Sequence, residues 1–290
     1  ALGQDEGFED HIFTFYPSAF LTYKKNDTHQ YQFSYSRRVD RPNTQQVNPI
    51  REWSTPLIVS VGNAELLPQF TNSFELNYTY QYAKGNVTFG TFYRLVNDPI
   101  LRSITKDLFF EDKVTMSFIN GSQNDRFGFE LSTNYRIGNW WRINASMDLY
   151  AQTENGIVAN ENVEVQNNAF NARISNSFSA SKRLKFQLFG MYRGRNKSIQ
   201  FDADPMWMVN LGSSLDVFEG KGTVSFSAND ILKGMRYKFD AEMPVPSSGV
   251  FYWESQTVYL GFSYRFGSGK NRAKSRKRRD ANENTGGGGF

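Results

Sequence analysis

Apolar and polar side chains alternate along most of this chain. In residues 70–82, Phe70, Phe74, Leu76, Tyr78, Tyr80 and Tyr82 hold even positions, while Thr71, Ser73, Glu75, Asn77, Thr79 and Gln81 hold odd ones. A period of two belongs to a β-strand, so this segment has one apolar face and one polar face. The same reading predicts strands near 31–36, 87–95, 127–137, 141–149, 170–178, 184–193, 207–217, 224–228 and 258–266. A first strand around 12–23 is interrupted by Pro17 and has mixed faces. That makes about eleven strands, and no 3.6-residue apolar stripe with caps marks a helix. The longer strands match the length that a tilted strand needs to cross a bilayer.

Two regularities sharpen the fold class. The charges within the strands are Glu75, Arg94, Glu130, Arg136, Arg142, Asp148, Arg173, Lys185, Arg193, Asp216 and Arg265, and all fall on the polar face. The connections also alternate in length. Those at 24–28, 83–85, 138–140, 181–183 and 219–221 are tight, and those at 38–69, 96–113, 153–166, 194–205 and 229–250 are long. Short turns at one end and long loops at the other are the pattern of outer-membrane barrels, with the short turns periplasmic. A Greek-key sandwich has no reason to sort its loops by parity. The expected fold is an all-β antiparallel transmembrane barrel with lipid on the apolar face and a lumen on the polar face. The division is a lead-in at 1–11, barrel strands and outer loops at 12–267, and a basic, Gly-rich periplasmic tail at 268–290.

Composition agrees. Of 290 residues, 26 are Phe and 15 are Tyr, which suits the aromatic girdles of a barrel, although mean hydropathy is only −0.57. There is no cysteine and there are two histidines, so thiol chemistry is excluded and no His-ligated metal cluster is expected. Net charge is +4. Lys270, Arg272, Lys274, Arg276, Lys277, Arg278 and Arg279, against Asp280 and Glu283, concentrate that excess in the tail. The basic balance is therefore no argument for nucleic-acid binding. The tail reads as a disordered extension, or more sharply as a contact for anionic headgroups.

Several segments resemble a known family. They are Phe15–Tyr23 (FYPSAFLTY), Ser34–Asn43 (SYSRRVDRPN), Asn48–Pro49 and Gly62–Tyr78 (GNAELLPQFTNSFELNY). Asn120–Ser122, Gly128–Glu130, Asn229–Leu232 and Val258–Gly267 fit later strands. The chain is similar to the C-terminal barrel of TonB-dependent outer-membrane receptors, in the variety called the outer membrane protein beta-barrel family. Ala64 departs from it, since the family has Pro after Gly-Asn. The resemblance implies a 22-stranded plugged barrel, of which eleven strands are the C-terminal half. It also implies an N-terminal plug, a first barrel half and a TonB-contacting box that lie outside this sequence.

The expected partners are thus outer-membrane lipid, that plug and barrel half, TonB, and a surface lipoprotein as a further candidate. The implied activity is uptake of a scarce nutrient: a ferric chelate, vitamin, oligosaccharide or peptide. The alternative is a structural barrel in an outer-membrane assembly or secretion complex. A soluble sandwich or adhesin is a weaker third reading. No catalytic residue, cofactor or metal is expected.

Candidate contact residues follow. Arg37, Arg38 and Arg41 could form a rim patch for anionic cargo, or merely pair locally before Pro42. Trp53 sits in a long loop that could be a lid or a plain cap. The eleven polar-face charges are expected to meet the plug, and less often the cargo. Phe266, which ends the last alternating segment, is the expected insertion signal.

Overall fold

Tyr82-Ala-Lys-Gly85 turns one alternating segment back onto the next. The ladder that results pairs Tyr82 with Gly85 and continues to Phe70 opposite Asn97. Ten such neighbour pairings build a single antiparallel sheet. The computed structural model describes residues 14–158, 161–241 and 246–266. Its main sheet contains β1 (Ser18–Lys24), β2 (His29–Asp40), β3 (Gln69–Tyr82), β4 (Gly85–Asn97), β5 (Gln123–Ile137) and β6 (Trp141–Val158). It continues with β7 (Glu161–Ser179), β8 (Leu184–Arg193), β9 (Met206–Val217), β10 (Gly222–Asn229) and β11 (Thr257–Tyr264). Each strand pairs with its sequence neighbour, and β1 and β11 are the two edges. With eleven antiparallel strands, those two edges run in the same direction.

The apolar face is left uncovered. Leu76, Phe89, Phe127, Phe129, Met147, Leu149, Phe170 and Ile174 all lie on it and are all exposed. The few buried apolar residues, such as Val59, Leu66, Ile104, Ile199, Ala203 and Ala241, lie mostly in the long connections. A sheet in water would cover an apolar surface of this extent. On β5 the face is apolar from Ile137 to Phe127 and turns polar at Asp125, which accepts a 2.6 Å hydrogen bond from Tyr93 Oη. On β7 it is apolar from Phe178 to Phe170, apart from the buried Asn176, which accepts from Trp141 Nε1 at 3.1 Å, and it is polar from Asn168 onward. These bands are about 9–11 residues tall, the span of one tilted transmembrane strand.

The expected eleven strands are present, with three corrections. No long loop occupies 153–166. β6 and β7 pair without interruption to Val158 opposite Glu161. Alternation stops there because both faces of the hairpin have passed beyond the apolar band, whereas the backbone ladder needs no apolar side chains to continue. The last strand ends at Tyr264, so Phe266 lies two residues beyond it. The first strand starts only at Ser18. Pro17 cannot donate to a ladder, and its carbonyl instead accepts from Arg37 N–H at 3.0 Å. The lead-in at 1–11 and the tail at 268–290 lie outside the described residues.

The long connections hold structure that alternation did not announce. Asn43 and Gln46 form a capping box on a single helical turn, Thr44–Val47. Hairpins 52–60 and 100–120 join through a parallel pairing of Ile58–Ser60 with Val114–Met116. Segments 196–203 and 236–252 form a second four-stranded sheet. The caps meet where Gln200 bonds both backbone groups of Ile104, at 2.7 and 2.9 Å.

Asp107 anchors the first cap. Burial pushes its carboxyl up, but hydrogen bonds from Thr115 Oγ1 and Phe109 N–H, with the Arg51 guanidinium, outweigh burial and bring the pKa to about 2. A carboxylate depressed in this way stabilises the fold above its ordinary value of 3.8. That contribution is lost as the pH falls from there to about 2. Pepsin should therefore spare the exposed Leu108–Phe110 segment near the upper end of this window and cut it at the lower end. Asp107→Ala should already be cut at the upper end; equal resistance of the two proteins there would remove Asp107 as the anchor.

Candidate functional site on the polar face of the sheet

Directly opposed residues in an antiparallel ladder share a face. The register therefore places ten of the eleven polar-face charges on one side of the sheet. Glu75 lies opposite Phe92, Glu130 opposite Asp148, and Lys185 opposite Ser214. Arg265, just past β11, extends the row, with its N–H bonded to Lys221 O at 2.8 Å.

Six of the eleven gather at the centre. Arg94 Nη2 lies 3.2 Å from Glu75 and 3.5 Å from Glu130, and its guanidinium sits 4.3 Å over the Phe92 ring. Asp148 accepts from Asn171 Nδ2 at 2.7 Å. Arg173 and Arg193 complete the wall of a concavity of about 500 Å³, which Tyr150, Met191 and Met206 also line. Four guanidiniums against two carboxylates make this wall basic, suited to holding anionic or hydrogen-bonding groups. The fourth is Arg126, a residue the alternation pattern missed because it lies ahead of the clear apolar run at 127–137. It shares the even parity of Glu130 and Arg136, and that was the available signal. Its Nε and Nη2 donate to Gln152 Oε1 at 3.1 and 2.7 Å, over the Tyr150 ring at 4.7 Å. Gln152 in turn reaches the buried Glu154, which accepts from Ile199 N–H at 3.3 Å.

The other five lie apart from this cluster. Arg136 and Arg142 are directly opposite each other near the short-turn end. Lys185 and Arg265 lie near the same end, and Asp216 accepts from Thr223 Oγ1 at 3.0 Å.

The three rim arginines are separated by strand alternation. Arg38, opposite Thr71, is on the polar face. Arg37 is on the apolar face, 5.2 Å from the Phe70 ring, and Arg41 is exposed beyond the strand end. Trp53 packs edge-on against Phe110 at 5.4 Å, with Lys113 Nζ at 4.8 Å, so it joins the two hairpins of the first cap. Phe266 is 88% exposed, and its ring meets Tyr264 at 4.8 Å.

Rings belt the apolar face at the short-turn end. Tyr23 meets Tyr31 at 6.2 Å, Tyr31 meets Tyr78 at 5.0 Å, and Tyr82 meets Tyr135 at 5.8 Å. Trp141 meets Phe178 at 5.5 Å, and Phe218 meets Tyr264 at 5.9 Å. Amphipathic rings at one level are the interfacial girdle of a barrel wall.

Comparison with known proteins agrees with this architecture. The model of the outer membrane protein beta-barrel family matches residues 2–264. No curated protein matches the chain. The fold is similar to that of the siderophore receptor PirA from Pseudomonas aeruginosa, with TM-score 0.57 and 12% identity over 85% of this chain and 41% of that one. It is similar to the copper transporter OprC, with TM-score 0.59 and 12% identity over 86% of this chain and 40% of that one. For the siderophore receptor PirA from Acinetobacter baumannii the TM-score is 0.56, at 13% identity over 87% and 41%. The chain thus spans about two fifths of the length of these receptors.

Proposed function

The chain belongs to the outer membrane protein beta-barrel family, and from that premise we propose that it forms the C-terminal half of a plugged, TonB-dependent barrel importing a scarce nutrient. The observation that carries this reading is the sheet itself. Its apolar face is exposed and belted, its polar face is charged, and its edges β1 and β11 are unpaired among the described residues and run in the same direction. Unpaired edges are not viable in hydrocarbon. Parallel edges prevent antiparallel closure of the sheet on itself, or on one second copy held in the same orientation across the membrane. An odd number of further strands closes it, and eleven would make the 22 of a plugged transporter.

In this reading the long-loop caps face outward and the short turns face the periplasm. The central charges Glu75, Arg94, Glu130, Asp148, Arg173 and Arg193 meet the plug. The cargo is a ferric chelate, vitamin, oligosaccharide or peptide, first met by the outer caps. A periplasmic C-terminal tail and contact with TonB through an upstream box belong to the same proposal.

Topology is tested by cysteine labelling of the full-length protein in intact cells. Leu108→Cys, at a position 90% exposed in the first cap, should react with a membrane-impermeant maleimide. Asn139→Cys, in the β5–β6 turn, should not. The reverse pattern would invert the barrel. Transport is tested by uptake, beginning with ferric chelates, in cells with and without TonB. Loss of uptake without TonB supports the proposal, and a protein needed only for assembly of a neighbouring complex would favour the scaffold role.

A further inference from the structure

Both ends of the sheet carry cations, and only the short-turn set lies directly beyond the ring belt. At the long-loop end some are paired, Arg51 with Asp107, Arg195 bidentately with Asp202 at 2.6 and 2.7 Å, and Lys238 with Asp204 at 3.0 Å, while Arg102, Lys106, Lys197, Lys233 and Arg236 make no ion pair among the described residues. At the short-turn end, four of the five turns carry cations: Lys25, Lys84, Lys182 with Arg183, and Lys221. All five side chains belong to exposed residues, and none makes an ion pair among the described residues. The turns also carry Asp27 and Glu219, and neither pairs with them.

The girdle fixes where these cations sit. Lys25 follows Tyr23 by two residues, Lys84 follows Tyr82 by two, and Lys182 follows Phe178 by four. Lys221 precedes Gly222, which faces Tyr264 across the ladder. At about 3.3 Å per residue, the cations lie within some 7–13 Å beyond the rings. That is headgroup depth when the rings mark the hydrocarbon boundary.

We propose that the short-turn end is a docking surface for anionic phospholipid in the adjoining leaflet, with these turn cations holding headgroup phosphates beneath the ring belt. The inference rests on the transmembrane-barrel reading above. Unpaired lysines on short turns bring charge to the surface at no cost in native ion pairs, and an anionic leaflet attracts each of them. Arg136 and Arg142 point to the other face and take no part.

The test uses the full-length protein reconstituted in phosphatidylcholine bilayers with spin-labelled phosphatidylglycerol or phosphatidylcholine as probes. The motionally restricted fraction reports lipid at the barrel surface. Wild type should hold phosphatidylglycerol about five-fold more strongly than phosphatidylcholine, and less so at high salt. Replacing Lys25, Lys84, Lys182, Arg183 and Lys221 by Gln should bring the ratio close to one. Deleting 268–290 should leave it in place. Heat-modifiable gel mobility separates the two ideas: without a folded band the barrel reading itself fails. A folded wild type with no preference, a five-site variant that keeps it, or a truncation that abolishes it would each overturn the docking surface.

Discussion

Leu131→Arg should destabilise the folded barrel by about 2–4 kcal/mol, the cost of a cation on the lipid face near the bilayer midplane. Leu131 lies midway up the apolar band of β5, between Phe89 of β4 and Met147 of β6. Its partners across both ladders are apolar, and the guanidinium would stand in hydrocarbon. Ile143→Arg, three residues from the β5–β6 turn and opposite Tyr135, lies closer to the ring belt, where a long cation can reach the headgroups. Its cost should fall to about 1 kcal/mol. Ser132→Arg, one residue from Leu131 on the polar face, should change stability far less. Urea unfolding of the full-length protein in lipid, followed by heat-modifiable mobility, gives all three values. Equal costs for Leu131→Arg and Ser132→Arg would show that the faces are wrongly assigned.

Gly85→Ala is expected to be as damaging, for a different reason. Gly85 follows the Ala83–Lys84 turn at the start of β4, where the turn passes against β5 and Lys84 O accepts from Arg136 N–H at 2.8 Å. A Cβ at Gly85 would lie 1.8 Å from the carbonyl oxygen of Asn134 and 2.8 Å from its carbon. Both are backbone atoms, so no rotamer change relieves the clash. The β4–β5 ladder would have to part at its end, at an estimated 3 kcal/mol or more. Gly220 supplies the control. Its φ of +85° disfavours a side chain, but nothing lies within 4 Å of a Cβ there. Gly220→Ala should therefore cost only about 1 kcal/mol. Comparable amounts of folded Gly85→Ala and Gly220→Ala protein in outer membranes would contradict the close approach.

Most of the wall was legible because period-two alternation records a boundary between lipid and water that runs along each strand. Where the boundary ends, the record ends. Residues 153–158 and 161–166 pair fully, yet their composition is that of a loop, since neither face meets lipid: one is open to water and the caps cover the other. The same limit hid Arg126, whose strand begins at Gln123, ahead of the clear alternation. The central cluster of Arg94, Glu75, Glu130 and Asp148 was legible as a face but not as a group. Which charges come within reach depends on register, and register depends on turn lengths that only the ladder shows. Arg37 and Arg38 illustrate the converse. Adjacent in sequence, they read as one patch, and the strand sends them to opposite sides. The link between caps through Gln200 and Ile104 joins residues far apart in the chain and left no local trace.

The overshooting β6–β7 hairpin has a mechanical consequence. Paired backbone continues for about eight residues past the apolar band, roughly 25 Å of stiff ladder at about 3.3 Å per residue. The neighbouring loops are fastened to its upper half. Ser122 N–H bonds Asn155 O at 3.0 Å, Ile199 N–H bonds Glu154, and Ile199 packs over Gly156. The two caps, joined to each other at Gln200, are thereby bolted to one upright. They form a joined plate with this post as a shared mounting, and a ligand pulling on either cap loads the bonds at that post.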